Sequence, residues 1–245
     1  MARYFVQDTS LTAIADAIRS KTGGTAALTL DGMAEAVAGI ETGGGGDDLA
    51  KQIVERTVTE INDASIEKVG EYAFQSCSNL TSANLPACTS LGSGAFHSCS
   101  KLTSVDLPAC TSVGGSAFSG CSKLTSVDLP ACTSLGSGAF QNCSKLTSVD
   151  LPACTSVGVS AFQSCYNLTS VVIRTDSICS LANTSAFNKC YHILGTVNAT
   201  HNPEGLKDGY IYVPDALVED YKAATNWSTY ASQIKPLSEH VEVTA

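Results

Sequence analysis

From residue 70 onward the apolar and polar positions of this chain recur every 22 residues. Residues 92–113, GSGAFHSCSKLTSVDLPACTSV, carry the pattern once. Leu102, Val105 and Leu107 are apolar, and Ser104 and Asp106 are polar between and beside them. Side chains alternate across a strand, so Val105 and Leu107 point inward while Ser104 and Asp106 point outward. Pro108 cannot donate to a continuing ladder and ends the strand. Val113 supplies a further inward contact, and Gly114 marks the turn into the next copy. Glycine returns at Gly70, Gly92, Gly114, Gly136 and Gly158, consistent with a backbone shape that penalises a Cβ. An Ala-Phe pair follows each time, and Phe74, Phe96, Phe118, Phe140 and Phe162 are predicted to stack as an aromatic spine. A unit this short cannot bury a core alone, so the copies must stack as a solenoid.

Five copies agree in register from residue 70, and nine cysteines fall at 11-residue intervals within them. In a stack with coils about 4.8 Å apart, equivalent residues form columns. One column is Cys77, Cys99, Cys121, Cys143 and Cys165; the other is Cys88, Cys110, Cys132 and Cys154. The chain has 11 cysteines, an odd count, and no CxxC pair, so the reading is buried structural thiols, with no disulfide framework or zinc site. After Cys165 the period breaks. VVIRTDSICSLANTSAFNKC keeps an Ala-Phe pair and Cys190 but carries three extra residues and lacks the usual Pro and Gly. The sequence leaves open whether Cys179 keeps its column.

The flanks follow other periods. In residues 1–42, Ser10 or Thr9 caps a predicted helix with Leu11, Ile14 and Ile18 on one face. Asp31 caps a second helix bearing Met33, Val37 and Ile40. Two short helices make a very small core, so this module is expected to dock on a partner or to self-associate. Residues 43–48, with GGGG at 43–46, read as a linker. Residues 49–69 are predicted to cap the solenoid at its start, 70–190 to form the repeats, and 191–245 to close it. In that last segment GYIYV is a strand and Pro214 and Asp215 open a helix. Trp227, the one tryptophan, is expected to anchor the lid.

A formal charge of -9 with only 14 basic residues argues against nucleic acid as a partner. No run of apolar residues is long enough for a membrane span, and the first residues lack the apolar heart of a signal peptide. The expectation is therefore synthesis in a cytoplasm without export by the usual secretory route. Enzyme signatures are missing: the four histidines make no HExxH, and there is no G-x-S-x-G elbow or P-loop. His201, Glu204 and Asp208 fall in a polar HNPEGLKDG segment that reads as a solvated turn. Neither catalytic residues nor a metal or cofactor is expected.

Two candidate binding surfaces remain. The outer face of the strands presents Asn84, Asp106, Asp128 and Asp150 beside Ser104, Ser126 and Ser148, suited to a cation or to sugar hydroxyls. The competing reading is that these charges only keep an exposed sheet soluble, each Asp lying near one of Lys101, Lys123 and Lys145. The second surface is the loop edge around the Ala-Phe pair. There the position after the pair varies, being Gln75, His97, Ser119, Gln141 and Gln163 in turn, and the edge is either the side that recognises a ligand or the side under least structural constraint.

The repeat AFxxCSKLTSVDLPACTSVG resembles the BspA-type leucine-rich repeats of bacterial surface proteins, over roughly residues 66–190. The resemblance implies a solenoid of 22-residue leucine-rich repeats, each a β-strand plus a turn or short helix. A small helical N-terminal module and an α/β C-terminal cap would flank it. The ending YIYVPDALVEDYKAATNWSTYASQIKPL is similar to the segment that closes such arrays in Firmicutes proteins. SLTAIADAIRSKTGGTAALTLDGMAEAVAGI resembles a short N-terminal module of tail and other structural proteins of Firmicutes phages. BspA-type repeats imply adhesion or recognition of extracellular ligands. Together the resemblances imply a phage tail-associated receptor-binding or accessory fibre protein, located in the virion. Residues 1–45 would join other virion proteins and the repeats would meet a bacterial surface protein or glycan. The alternatives are a bacterial surface adhesin and a structural virion decoration protein.

Overall fold

The computed structural model describes the backbone of Arg3–Phe5 and residues 56–196, 198–202, 204, 205 and 208–240. The helices predicted within 1–42 and the linker at 43–48 lie outside the described residues. Each coil of the repeat contributes two short strands and a turning arc, all pairing in parallel. The short helix that the repeat allowed is realised as turns.

The front strands are β2 (Glu60–Asn62), β4 (Ser82–Asn84), β6 (Ser104–Asp106), β8 (Ser126–Asp128), β10 (Ser148–Leu151) and β12 (Ser170–Ile173). The side strands are β1 (Arg3–Phe5), β3 (Ile66–Val69), β5 (Ser90–Leu91), β7 (Ser112–Val113), β9 (Ser134–Leu135), β11 (Ser156–Val157) and β13 (Ser180–Leu181). The side strands form one continuous ladder from β1 to β13. Neighbouring coils pair in register, Ser126 with Ser148 and Ser148 with Ser170, so like residues form columns. That is why a strict period in sequence becomes a row of identical side chains in space.

Between β6 and β8 the front ladder is interrupted, leaving sheets of three and five strands. Asp106 and Asp128 face each other there, both exposed, and Val105 is only half-buried where its equivalents Val127 and Val149 are buried. Like charges directly opposite destabilise a pair of strands. The next step, Asp128 to Asp150, stays paired, and there Arg174 holds Asp150 at 3.2 Å.

The interior is built from columns. Phe74, Phe96, Phe118, Phe140, Phe162 and Phe187 stack with centroids 5.1–5.6 Å apart and planes within 12°. All six are fully buried. Cysteine thiols fill the space beside them. Cys99, Cys121, Cys143, Cys165 and Cys190 donate to the carbonyls of Phe74, Phe96, Phe118, Phe140 and Phe162 at 3.0–3.2 Å. Cys88, Cys110, Cys132 and Cys154 donate to the Ser carbonyl two residues on, at 3.3–3.4 Å. Every cysteine is free and buried.

The glycine column has a different cause from the one the sequence suggests. A Cβ on Gly92, Gly114, Gly136 or Gly158 would stand 2.4–2.6 Å from backbone atoms of the coil before. Close approach of coils excludes the side chain, and the φ at these positions is not left-handed. Left-handed backbone occurs elsewhere in the arc, at Gly94, Ser116, Gly138 and Ser160, and again at Ser98, Gly120, Asn142 and Ser164.

Nor is register lost after Cys165. The extra residues bulge out between Ile173 and Cys179, replacing the usual Pro-Ala, and the coil then rejoins the stack. Phe187 packs on Phe162 at 5.4 Å, and Cys179 Sγ lies 4.0 Å from Cys154 Sγ. Ala182 takes the glycine place, donating its N–H to the Val157 carbonyl at 3.0 Å.

A lid then covers the last coil. It comprises α1 (Tyr191–Leu194), β14 (Tyr210–Val213), α2 (Val218–Ala223), a 3-10 turn over Trp227–Gln233 and β15 (Ile234–Pro236). β14 and β15 extend the front sheet beyond β12, and Pro236 ends its open edge. Trp227 is buried against Phe187 and donates its indole N–H to the Cys179 carbonyl at 2.6 Å. Tyr221 Oη accepts from the Cys179 N–H at 2.7 Å. The lid thus supplies both an apolar cover and partners for backbone groups that a seventh coil would otherwise meet.

Candidate functional site

The outer face of the front sheet carries two polar columns. Ser82 and Ser104 form one column in the three-stranded sheet, and Ser126, Ser148, Ser170 and Tyr210 continue it beyond the interruption. Beside them run Asn62, Asn84 and Asp106, then Asp128, Asp150, Val172, Tyr212 and Lys235. The lid therefore changes the face from small and acidic to aromatic and basic within the same sheet.

At that change the surface sinks into an open groove of about 800 Å³. Its floor is Ser126, Asp128, Ser148, Asp150, Ser170 and Val172. Its far wall is Arg174, Asp208, Tyr212, Glu239 and His240. Each wall residue is placed by a specific local cause. Arg174 opens the bulge after Ile173 and reaches back to Asp150 Oδ2 at 3.2 Å. Tyr212 projects from β14 because β14 continues the column of Asp150 and Val172. His240 follows the 3-10 turn at Leu237–Glu239 and meets Tyr212 edge to face at 4.6 Å, with Nε2 3.5 Å from Ser170 Oγ. Burial pushes the Tyr212 phenol up from its ordinary value, and the hydroxyl has a proton to donate.

Of the residues singled out from sequence, Ser126, Ser148, Asp128 and Asp150 come together in this groove. Asn84, Asp106 and Ser104 lie beyond the interruption, in the three-stranded sheet. There Asn84 Nδ2 donates to Asn62 Oδ1 at 3.0 Å. Gln75, His97, Gln141 and Gln163 stand on the turning arc and take no part in the groove. Gln141 donates to Gln163 Oε1 at 3.0 Å, and His97 Nδ1 lies 3.0 Å from Ser98 Oγ.

One expectation is corrected. No lysine pairs with the Asp column among the described residues: Lys101 Nζ donates to Asn79 Oδ1 at 3.0 Å, and the cation that reaches an Asp is Arg174. In the HNPEGLKDG segment, read from sequence as a solvated turn, Asp208 pairs with His192 at 2.6 Å and the His201 ring lies tilted against Tyr166 with centroids 4.5 Å apart. Among the described residues no group of His, Cys, Asp and Glu is arranged to hold a metal ion. No helix among them is long and apolar enough to cross a membrane.

The fold raises the thiols with one exception, Cys154, which is lowered by the hydrogen bond it accepts from the Cys179 thiol. Burial pushes Cys77 and Cys110 up to about 11 and Cys132 up to about 12. Cys179 is pushed up by its hydrogen bond to the Cys154 sulfur and by burial. Protonated, inaccessible thiols are poor nucleophiles and poor metal ligands.

Comparison with known proteins accords with this geometry. The chain is similar to the T. pallidum leucine-rich repeat protein, with 29% identity over 59% of this chain and 64% of that one and a TM-score of 0.50. It is also similar in fold to the pneumococcal vaccine antigen PcpA, with 17% identity, 73% and 40% coverage, and a TM-score of 0.51. A leucine-rich cell surface protein from Faecalibacterium prausnitzii matches at 29% identity over 48% of this chain and 32% of its own, with a TM-score of 0.44. The chain spans less than two thirds of the length of each. No curated protein matches it. The profile of the BspA type leucine-rich repeat region matches residues 67–194 in 6 copies. With more than half its length so matched and wound into the coils described above, this chain belongs to the BspA-type leucine-rich repeat family.

Proposed function

We propose that this chain is a recognition protein that presents the groove between the Ser/Asp columns and the C-terminal lid to a ligand on a bacterial surface. Residues 1–45 would attach it to a phage virion. The observation that carries the recognition part is the groove itself. It joins polar side chains of the repeat to a mixed wall, Arg174 from the bulge with Asp208, Tyr212, Glu239 and His240 from the C-terminal segment. The virion part is supported by the resemblance of SLTAIADAIRSKTGGTAALTLDGMAEAVAGI to tail-protein modules. The test is competition. Purified protein, or antibody against residues 56–240, is expected to block phage adsorption to host cells. Normal adsorption at saturating protein and antibody would refute receptor binding and leave a decoration role.

A second reading, a surface adhesin on a bacterial cell, is supported by membership of the BspA-type family. Gold-labelled antibody separates the two readings. Label on purified virions supports the first, and label on the envelope of cells carrying no phage particles supports the second.

A further inference from the structure

The front sheet carries hydroxyls of two kinds. Those of Thr81, Thr103, Thr147 and Thr169 donate to the carbonyl of the threonine one coil earlier, at 2.9–3.2 Å. They are committed to holding coils together. Ser126 and Ser148, each one residue after a threonine, make no side-chain hydrogen bond among the described residues, although their backbones lie in the ladder. The Asp128 carboxylate is equally unpaired, and Asp150 Oδ1 has no partner although Oδ2 is held by Arg174. All four side chains belong to the floor of the same groove.

We propose that this groove binds a saccharide free of acidic groups, an assignment that rests on the recognition role proposed above. A sugar presents hydroxyls that donate to carboxylates and both donate to and accept from serines, while its C–H face packs on an aromatic ring. The groove offers each of these: Asp128 and Asp150 as acceptors, Ser126 and Ser148 as two-way partners, and Tyr212 as the ring. The rows repeat at about 4.8 Å from coil to coil. Successive units of a linear saccharide therefore meet successive Ser/Asp pairs. A volume of about 800 Å³ lies within the usual range for small-ligand sites, roughly 300–1,000 Å³.

Charge selects within the class. Four carboxylates line the groove: Asp150 is paired with Arg174, Asp208 with His192 and Glu239 with Lys235, and Asp128 has no cation partner among the described residues. A phosphate or carboxylate lying over Asp128 would meet its uncompensated negative charge, so polyanionic cell-wall polymers are disfavoured. A basic peptide satisfies the charge but leaves the hydroxyl rows unused.

The experiment uses the full chain, saturation-transfer NMR and calorimetry. The probes are cellotetraose, maltotetraose and tetra-N-acetylchitotetraose, with poly(glycerol phosphate) and heptalysine as comparators. At least one tetrasaccharide is expected to bind. Asp128→Ala and Tyr212→Leu should each weaken it tenfold or more, with unchanged circular dichroism. Asp106→Ala, beyond the interruption in the front sheet, should leave it within twofold. Binding of none of the three sugars, preference for either comparator, or indifference to Asp128→Ala overturns the assignment. Adsorption of the protein to cells that survives both periodate treatment of the cells and Asp128→Ala would sink the saccharide and spare the recognition role. Sugar binding without any adsorption would do the reverse.

Discussion

Replacing Phe118 by alanine removes a ring from the middle of the aromatic spine, and the structure sets the size of the penalty. Phe118 is fully buried between Phe96 at 5.4 Å and Phe140 at 5.2 Å, with planes within 7° of each. A buried Phe→Ala change costs about 3–5 kcal/mol, the spread reflecting how far the site collapses. Collapse is resisted here. The Phe118 N–H is bonded to the Ala139 carbonyl at 2.8 Å, and the Phe96 N–H to the Ala117 carbonyl at 2.7 Å, so the coils on both sides are pinned. The upper part of the range, about 4–5 kcal/mol, is therefore expected. Phe74→Ala, which loses one stacking partner among the described residues, should cost nearer about 3 kcal/mol. Urea unfolding followed by far-ultraviolet circular dichroism reads both. Coils touch only their neighbours, so a void at Phe118 should also broaden the transition as the two halves of the stack uncouple. A loss below about 2 kcal/mol at Phe118, or an equal loss at Phe74, would show that the spine is not a rigidly packed column.

Three further outcomes follow from the columns. Folding raises the thiols of Cys77 and Cys110 to about 11 and that of Cys132 to about 12, so the native state keeps protons that the unfolded chain releases. Stability is then full below the unfolded thiol value of about 8.5 and falls through the window up to the folded values, by about 1.4 kcal/mol per pH unit for each such thiol. Melting midpoints that stay flat from pH 8.5 to pH 10.5 would contradict the assignment. Ser116 has a φ of 55° where Gly94 and Gly138 stand in neighbouring coils, so Ser116→Gly should stabilise by about 0.5–1 kcal/mol in the same urea assay. Gly136→Ala should do the opposite, by about 1–3 kcal/mol, because its Cβ would lie 2.4 Å from the Gly115 nitrogen; a neutral result would mean that the coils are not in close approach there.

Much of the fold is legible in the sequence because a strict period forces equivalent residues into columns. Phe118, Cys121 and Val127 each predict their own neighbours once the period is known. The glycines were legible as a constraint but not as the right one. A Cβ clash with the preceding coil and a left-handed φ both select glycine, and only coordinates distinguish them. The groove was half legible. Ser126, Ser148, Asp128 and Asp150 stand out as exposed columns, whereas Arg174, Tyr212 and His240 do not, since they lie outside the repeat and are brought in by the bulge and the lid. The signal for Arg174 was the break in period itself: three extra residues between Ile173 and Cys179 have to leave the stack and therefore project. Tyr212 was signalled more weakly, by the alternation in GYIYV that lets β14 extend the front sheet.

The groove draws only on the last coils and the lid, while the coils before it share nearly the same sequence and the same register. The length of the stack and the lining of the groove are thereby separate quantities in one molecule. Insertion or loss of a whole repeat ahead of residue 114 would lengthen or shorten the stack by about 4.8 Å and leave the lining of the groove intact. A gene with tandem near-identical segments gains and loses such units by unequal recombination. Related chains should accordingly differ in the number of coils more readily than in Arg174, Tyr212 and His240.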